Sequence, residues 1–244
     1  MLFHYKPSPN SLADRVILIT GASRGIGRAV AKAFASQGAT VILLARNIPH
    51  LESLYDEIEK SGAPTPAIYP FNLANAIPED YEKLRENIEK PFGKLDGILH
   101  NAAMLGSLTS IEHTPLEQWY QVMQVNLHAA FLLTRATLPL LKRAKEASII
   151  FSTPEVGHKA RAYWGAYAVS KFGGEALMQI LADELEINTN IRVNSINPGR
   201  IKTQLRTAAY PAEDPKKLKM PEEIIPFYLY LMGSESLGMT GHSF

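Results

Sequence analysis

The chain has 244 residues, of which 46% are hydrophobic, and a formal net charge of +1. This length and apolar content fit a single α/β domain over residues 1–244, and the near-neutral charge lacks the basic footprint of nucleic-acid-binding proteins. No stretch reaches the about eighteen apolar residues that span a bilayer, and the first residues lack the apolar core of a secretory signal. We therefore expect a soluble, cytoplasmic protein that binds neither nucleic acid nor membrane. Because cysteine is absent and the seven histidines are scattered, we also expect no metal site.

The hydrophobic pattern predicts short apolar strands that alternate with helices. Strands are predicted at residues 15–20, 40–45, 67–71, 95–100, 148–152 and 190–196. Helices are predicted at residues 25–37, closed by Gly38, at 49–60, from Pro78 onward, and from Pro115 to about residue 142. A capping box of Thr114 and Glu117 should begin the last of these helices, and Pro139 should bend or end it. A further helix follows the fifth strand.

Strands that are apolar throughout and are separated by helical crossovers are typical of a parallel sheet covered on both faces. The predicted fold is therefore α/β, a Rossmann-type doubly wound, mostly parallel β-sheet with strand order 3-2-1-4-5-6-7. The final residues, MTGHSF, lie where a seventh strand would begin, so we expect six to seven strands. Residues 204–222 contain three prolines and several charges, which predicts a mobile loop near the substrate.

The sequence TGASRGIG, at residues 20–27, joins the first predicted strand to the first predicted helix. In a doubly wound sheet this turn is where a nucleotide binds. Gly21 permits the tight turn, while Gly25 and Gly27 let the backbone and the helix approach a pyrophosphate. The free N–H groups and the helix dipole then stabilise the phosphate charge. The sequence thus predicts a nucleotide site at this turn.

The end of the second strand favours a phosphorylated cofactor. NAD sites usually carry an acidic residue there to hold the ribose hydroxyls, yet no acid occurs between Asp14 and Glu52. Instead Arg46 follows the strand, and Arg24 lies in the glycine turn. Two guanidinium groups match a ribose phosphate in charge and geometry. We therefore expect NADP as cofactor, with NADPH preferred over NADH; the alternative is that both are ordinary surface arginines.

The stretch GAYAVSK, at residues 165–171, places Tyr167 one helical turn ahead of Lys171. A cation beside a phenol favours the ionised form, which lowers the pKa of the phenol and suits it to proton exchange. An isolated pair at this spacing is more often a surface tyrosine beside a solvated lysine. The other motifs of the chain decide between these two interpretations.

Several separated motifs together resemble the short-chain dehydrogenase/reductase family over nearly the whole chain. They are the turn TGASRGIG, the pair Asn72-Leu73, the run His100-Asn101-Ala102-Ala103, Asn126, the pair Tyr167 and Lys171, and NPGRIKT at residues 197–203. The stretches WGAYAVSKF and RVNSINPG further resemble the YciK-type oxidoreductases of this family.

The resemblance implies an NADP(H)-dependent oxidoreductase that interconverts a small-molecule carbonyl and an alcohol by hydride transfer. It implies that Tyr167 is the acid/base at the substrate oxygen, and that Lys171 lowers the pKa of this tyrosine and holds the nicotinamide ribose. Asn126 would position a water in the proton relay. The cofactor-binding residues implied are Gly21, Ser23, Arg24, Gly25, Ile26, Gly27, Arg46, Asn72, Leu73, Asn101, Ala102, Tyr167, Lys171, Pro198, Gly199, Ile201 and Thr203.

The family resemblance also implies a homodimer or homotetramer. Family members usually assemble through the two long helices that follow strands four and five. In this chain those segments carry the large apolar residues Trp119, Phe131, Phe172 and Met178. Packing in the core of one subunit explains these residues equally well.

One catalytic position departs from the family. The family has a serine thirteen residues before the tyrosine, where it hydrogen-bonds the reacting oxygen, and this chain has Pro154 there. Proline offers neither a hydroxyl nor a backbone N–H. Thr153 is expected to point to the other face of the strand, and Ser152, on the appropriate face, to lie about 6.6 Å further back. We therefore expect slowed catalysis; the alternative is a catalytically silent protein of this fold that binds NADP(H) as a sensor or assembly partner.

Overall fold

The computed structural model describes residues 5–244, and a single parallel sheet forms its centre. Its strands are β1 (Val16–Thr20), β2 (Thr40–Ala45), β3 (Ala67–Pro70), β4 (Gly97–His100), β5 (Ala147–Ser152) and β6 (Ile191–Ile196). They lie in the order β3-β2-β1-β4-β5-β6, and every neighbouring pair is parallel. The predicted Rossmann-type doubly wound fold is confirmed.

Helices cover both faces of this sheet. They are α1 (Gly25–Ser36), α2 (Ile48–Lys60), α3 (Pro78–Phe92), α4 (Leu116–Met123), α5 (Ala129–Leu141), α6 (Gly165–Glu186), α7 (Gln204–Ala209) and α8 (Ile225–Met232). A π-helical turn, Gln124–His128, joins α4 to α5. No helix within residues 5–244 is long and apolar enough to cross a bilayer.

Alternating side chains of the strands build two separate apolar layers. Leu18 and Ile149 pack on the face covered by α3, α5 and α6, whereas Ile17 and Ile150 pack on the face covered by α1, α2 and α8. All of these side chains are almost fully buried. Two buried faces explain why the strands are mostly apolar and do not alternate regularly with polar residues.

The strand order reverses between β1 and β4, and this opens a crevice at the carboxyl edge of the sheet. Thr20, the last residue of β1, fixes the floor of the crevice. Its hydroxyl donates to the carbonyl of Leu99 at 3.1 Å and accepts from the amides of Asn101 and Ala102, each at 3.0 Å. The turns after β1 and β4 are therefore held side by side.

The predicted start of the helix before the π-helical turn was wrong. The helix begins at Leu116 rather than at Pro115, and no capping box forms. The hydroxyl of Thr114 donates instead to the carbonyl of Ser110 at 2.9 Å, because a short 3-10 turn precedes it. Pro139 was expected to bend or end this helix locally; α5 continues through Pro139 and ends two residues later, at Leu141.

The two segments at the chain's end differ from expectation in part. Residues 204–222 are not a plain loop, since Thr203 accepts a hydrogen bond from the amide of Arg206 at 3.1 Å and so caps the short helix α7. Instead of a full seventh strand, the last residues pair with β6 through one bridge, of Ser243 to Ser195, and a few backbone hydrogen bonds. The described sheet therefore has six strands.

Candidate active site

The glycine turn joins β1 to α1 in a conformation that suits a pyrophosphate. Gly21 and Gly25 have φ values of +66° and +54°, in the left-handed region that favours glycine. A Cβ atom on Gly27 would lie 2.3 Å from the carbonyl oxygen of Gly21, so only glycine fits there. Helix α1 has no side-chain cap and no acidic residue in its first turn. Its first N–H groups and its dipole are thus available to an anion, and the turn fits the pyrophosphate of a dinucleotide.

The other predicted cofactor residues follow the neighbouring strands at the same edge of the sheet. Asn101 donates its side-chain amide to the carbonyl of Thr20 at 3.2 Å and so braces the glycine turn. A Cβ on Gly25 would lie 3.3 Å from the Thr203 methyl group, which brings the segment after β6 to the same turn. The predicted residues that line this edge are Ser23 and Ile26 after β1, Asn72 and Leu73 after β3, Ala102 after β4, and Pro198, Gly199 and Ile201 after β6.

The two arginines that were predicted to bind a ribose phosphate are exposed but have different surroundings. Arg46 makes no hydrogen bond or ion pair with any residue of 5–244, so its guanidinium is available to a ligand. Arg24 donates to the side-chain oxygen of Gln204, the first residue of α7. Sequence reasoning missed Gln204, because the contact joins segments that are far apart in the chain. No acidic side chain lies at the end of β2 to hold unphosphorylated ribose hydroxyls.

The structure buries Tyr167 and Lys171 together on α6. Only 5% of the tyrosine and 6% of the lysine surface is exposed, and the lysine Nζ lies 5.9 Å from the centre of the phenol ring. Lys171 donates to the carbonyl of Ser152 at 2.9 Å, at the end of β5. The pair is therefore not the surface arrangement that an isolated motif of this spacing usually forms.

The pKa values of this pair differ from the sequence-based expectation. Burial lowers the pKa of Lys171 to about 8. Burial also raises the pKa of Tyr167 above its usual value, so any lowering by the lysine does not outweigh the effect of burial in this arrangement. The reason is that the phenol is desolvated while the ammonium group turns toward the carbonyl of Ser152. The phenol retains its proton at neutral pH.

Asn126 lies in the π-helical turn, a distortion that is frequent at functional sites. Its side-chain oxygen accepts from the amide of Met104 at 2.7 Å, and its amide donates to the carbonyl of Met104 at 2.9 Å. The same amide donates to the hydroxyl of Ser170 at 3.0 Å, one residue before Lys171. Asn126 thus ties α6 to the loop after β4. Sequence reasoning missed Ser170, which carries no signal of its own.

A small cavity of ≈ 20 Å³ lies between Lys171, Asn126 and His100. This volume is sufficient for about one water molecule. The Nε2 atom of His100 lies 2.8 Å from the hydroxyl of Thr134. Burial, together with the charge of Lys171, lowers the pKa of His100 to about 3, so this imidazole is neutral. A neutral histidine here leaves Lys171 as the charged group of the cavity.

Pro154 lies two residues after the end of β5 and has an extended backbone, with φ −70° and ψ 168°. Its carbonyl accepts a hydrogen bond from the amide of Gly157 at 2.8 Å. The expectation for its neighbours was inverted. The hydroxyl of Ser152 lies 3.3 Å from that of Tyr228 on the opposite face of the sheet, whereas Thr153 lines the cavity beside Lys171. The alternation of side chains continues one residue beyond β5, where the amide of Thr153 still donates to the carbonyl of Ile196, and therefore places Thr153 on the face of α6.

Comparison with known proteins agrees with this geometry. The family model for short chain dehydrogenases matches residues 15–214. The uncharacterized oxidoreductase YciK of Escherichia coli (strain K12) is 45% identical over 99% of this chain and 95% of its own, and the cyclohexanol dehydrogenase of Acinetobacter sp. (strain SE19) is 32% identical over 96% and 94%.

Solved structures of other proteins are also similar to this chain in sequence and in fold. A protein of Pseudomonas syringae assigned to the short chain dehydrogenases has a TM-score of 0.96 and 52% identity, with 98% of this chain and 97% of the other covered. A protein of the same assignment from Escherichia coli CFT073, complexed with NADPH, has a TM-score of 0.94 and 45% identity, with 98% of each chain covered. These likenesses extend over the whole fold and confirm the resemblance to YciK-type oxidoreductases. The chain belongs to the short-chain dehydrogenase family.

Proposed function

We propose that the whole chain forms one NADP(H)-dependent oxidoreductase domain that interconverts a small-molecule carbonyl and an alcohol. The observation that carries this proposal is the buried pair of Tyr167 and Lys171 beside the carboxyl end of β5. The name of the Acinetobacter relative, a cyclohexanol dehydrogenase, supports carbonyl and alcohol chemistry, and the NADPH complex of the Escherichia coli protein supports the cofactor.

In the reducing direction, NADPH held at the glycine turn would supply the hydride that the carbonyl carbon of the substrate accepts. Tyr167 donates its phenolic proton to the carbonyl oxygen as negative charge develops there, so one hydride and one proton convert the carbonyl to an alcohol. Because burial raises the pKa of this phenol, Tyr167 keeps its proton until negative charge develops on the substrate oxygen. The ammonium group of Lys171 stabilises the phenolate that remains. Oxidation of an alcohol runs the same steps in reverse.

The phenolate must regain a proton before the next turnover. A water in the cavity behind Lys171 would contact that lysine and pass a proton toward the phenol. Asn126 would position this water through the loop that it anchors at Met104. Neutral His100, which lines the cavity and contacts the hydroxyl of Thr134, would supply a further polar contact to the water.

The choice between cofactors depends on two cations. Arg46, at the end of β2, has no partner within residues 5–244, and it would bind the ribose phosphate of NADP(H). Arg24 would also bind this phosphate, after releasing the side chain of Gln204. Unphosphorylated NADH offers these guanidinium groups no such partner, so we expect weaker binding of NADH.

The test uses purified protein with NADPH and NADH in parallel, across a panel of aldehydes, ketones and diketones. We expect NADPH consumption with at least one carbonyl and its loss in the Tyr167→Phe variant, which retains the ring but has no proton to donate. Fluorescence titration with each cofactor reports binding separately from turnover. Failure of every carbonyl to react, in a protein that binds NADPH, would contradict the proposal.

A second candidate function is favoured by Pro154. A catalytically silent protein of this family would bind NADP(H) and act as a sensor or assembly partner. It would lack the donor that polarises the substrate oxygen, and proline at this position provides none. Tight NADPH binding without turnover, unchanged after Pro154→Ser, would favour this alternative.

We also propose that the protein forms a homodimer or homotetramer. Helices α4 to α6 expose large apolar side chains that would be buried between subunits. They are Leu116, Tyr120, Phe131, Val169, Phe172 and Ile180. Met178, by contrast, is fully buried in the core and is not available to a partner. Light scattering decides the question, since a mass near the 27.0 kDa of one chain would refute the oligomer.

A further inference from the structure

The side chains that surround the ring of Tyr167 are apolar. Val156 and Ala168 are buried with this tyrosine in one cluster, separate from the two main layers of the core. Four partly buried side chains extend the cluster toward the surface, namely Ala103, Leu105, Trp164 and Leu205. They come from the loop after β4, the start of α6 and helix α7. The proton donor of the proposed reaction thus opens onto an apolar wall.

Trp164 joins this wall to a second aromatic residue. Its ring centre lies 5.7 Å from that of Tyr167 and 5.6 Å from that of Tyr210, directly after α7. Both contacts are within the range of favourable aromatic pairs. Because Trp164 and its neighbours leave only 5% of Tyr167 exposed, a substrate must displace part of this stack to reach the phenol.

Two ion pairs lie at the rim of the wall. Arg206 lies 3.7 Å above the centre of the Tyr210 ring and binds Glu213 through two hydrogen bonds of 2.6 and 2.7 Å. Arg161 binds Glu155 at 2.8 Å. Each pair is neutral, so neither offers a free cation to a carboxylate or phosphate on the substrate.

We propose that this aromatic wall, formed by Trp164, Tyr210 and the apolar cluster around Tyr167, binds uncharged carbonyl compounds whose body is an aromatic or alicyclic ring. A ring can replace the contacts that Trp164 loses when the stack opens, whereas a polar chain cannot replace them. The carbonyl group beside the ring then reaches the phenol of Tyr167. This inference rests on the proposed function, because it names the substrate class of the same site.

The first test compares kcat/KM with NADPH for three ketones: acetophenone, phenylglyoxylate, which adds a carboxylate, and hydroxyacetone, which lacks the ring. We expect acetophenone to exceed each of the others by about tenfold or more. Trp164→Ala should lower the ratio of kcat/KM for acetophenone to kcat/KM for hydroxyacetone by about tenfold or more, mainly through a higher KM for acetophenone. Trp164→Phe keeps a ring and should retain most of the activity.

A matched control is the adjacent Tyr163, an exposed aromatic residue outside the cluster. Tyr163→Ala should leave kcat/KM for acetophenone within about twofold. Equal losses in Tyr163→Ala and Trp164→Ala, or a preference for phenylglyoxylate or hydroxyacetone that Trp164→Ala does not alter, would overturn the inference. The proposed function would survive either result, because a carbonyl would still be reduced.

A second readout does not depend on turnover. The chain has two tryptophans, so Trp119→Phe leaves Trp164 as the sole fluorescent tryptophan. Acetophenone added to this variant with oxidised NADP cannot react, and we expect it to change the fluorescence of Trp164, whereas hydroxyacetone should not. The same change without reduction of any carbonyl would refute the proposed function but retain the ring site. No change with acetophenone would refute the ring site.

Discussion

Replacement of Pro154 by serine should raise the rate of carbonyl reduction about a hundredfold. A positioned donor to the oxygen that gains charge in the transition state is worth on the order of 3 kcal/mol, or about a hundredfold in kcat. The backbone of Pro154, at φ −70° and ψ 168°, lies in a region open to serine, so the variant needs no rearrangement of β5. Loss of the proline ring should cost only about 0.4–1 kcal/mol of stability, through the unfolded chain.

The assay is steady-state consumption of NADPH with the best ketone of the panel, and thermal unfolding confirms that each variant is folded. The matched control is Pro154→Ala, which regains the backbone N–H but has no hydroxyl. We expect the serine variant to gain mainly in kcat, because the hydroxyl contacts the oxygen most strongly in the transition state. If serine, alanine and proline at residue 154 give the same kcat, the missing hydroxyl is not what limits this site.

Three further predictions concern the cofactor turn, the second strand and the buried lysine. Gly27→Ala should lower the free energy of unfolding by about 1–3 kcal/mol and weaken NADPH binding, because its Cβ would lie 2.3 Å from a carbonyl oxygen. Gly174→Ala is the control: its Cβ would meet no atom within 4 Å, so it should stabilise α6 by about 0.5–1 kcal/mol. Urea denaturation measures both changes. Arg46→Ala should weaken NADPH binding about tenfold or more and leave NADH binding unchanged, which parallel fluorescence titrations measure; equal losses for both cofactors would contradict the ribose phosphate contact. Lys171 has a pKa of about 8 in the folded protein, against 10.5 for an ordinary lysine. Between these pH values the unfolded chain binds more protons than the folded protein, so the free energy of unfolding should rise with pH. The Lys171→Met variant should lack this rise. A constant difference in unfolding free energy between the two proteins over that range would disprove the burial of a charged lysine.

The strands and the glycine turn could be predicted because their signals are local. Each strand is a short apolar run, and the order of strands and helices along the chain leaves few possible topologies. The helix cap at Thr114 could not be predicted reliably, since its hydroxyl binds the carbonyl of Ser110 in a turn that has no clear sequence pattern. Local propensity is a weak guide where a side chain has a nearer partner.

The candidate site also has some features that the sequence predicts and others that only the folded structure defines. The spacing of Tyr167 and Lys171 predicted that both side chains lie on one face of α6, and the structure confirms this arrangement. Their pKa values depend on burial and on the carbonyl of Ser152, which only the packing of α6 against β5 defines. The contact of Trp164 with Tyr210 joins segments more than forty residues apart, so no local pattern could reveal it.

The pairing of the last residues with β6 has a consequence for behaviour in concentrated solution. The amide of Gly241 donates to Val193, the amide of Phe244 donates to Ser195, and the amide of Ser195 donates to the carbonyl of His242, at 2.8 to 3.0 Å. Without them, β6 would offer a row of unpaired backbone groups that could template a strand of another molecule. Residues 241–244 therefore cover the edge of β6 and hinder the addition of a strand from another molecule.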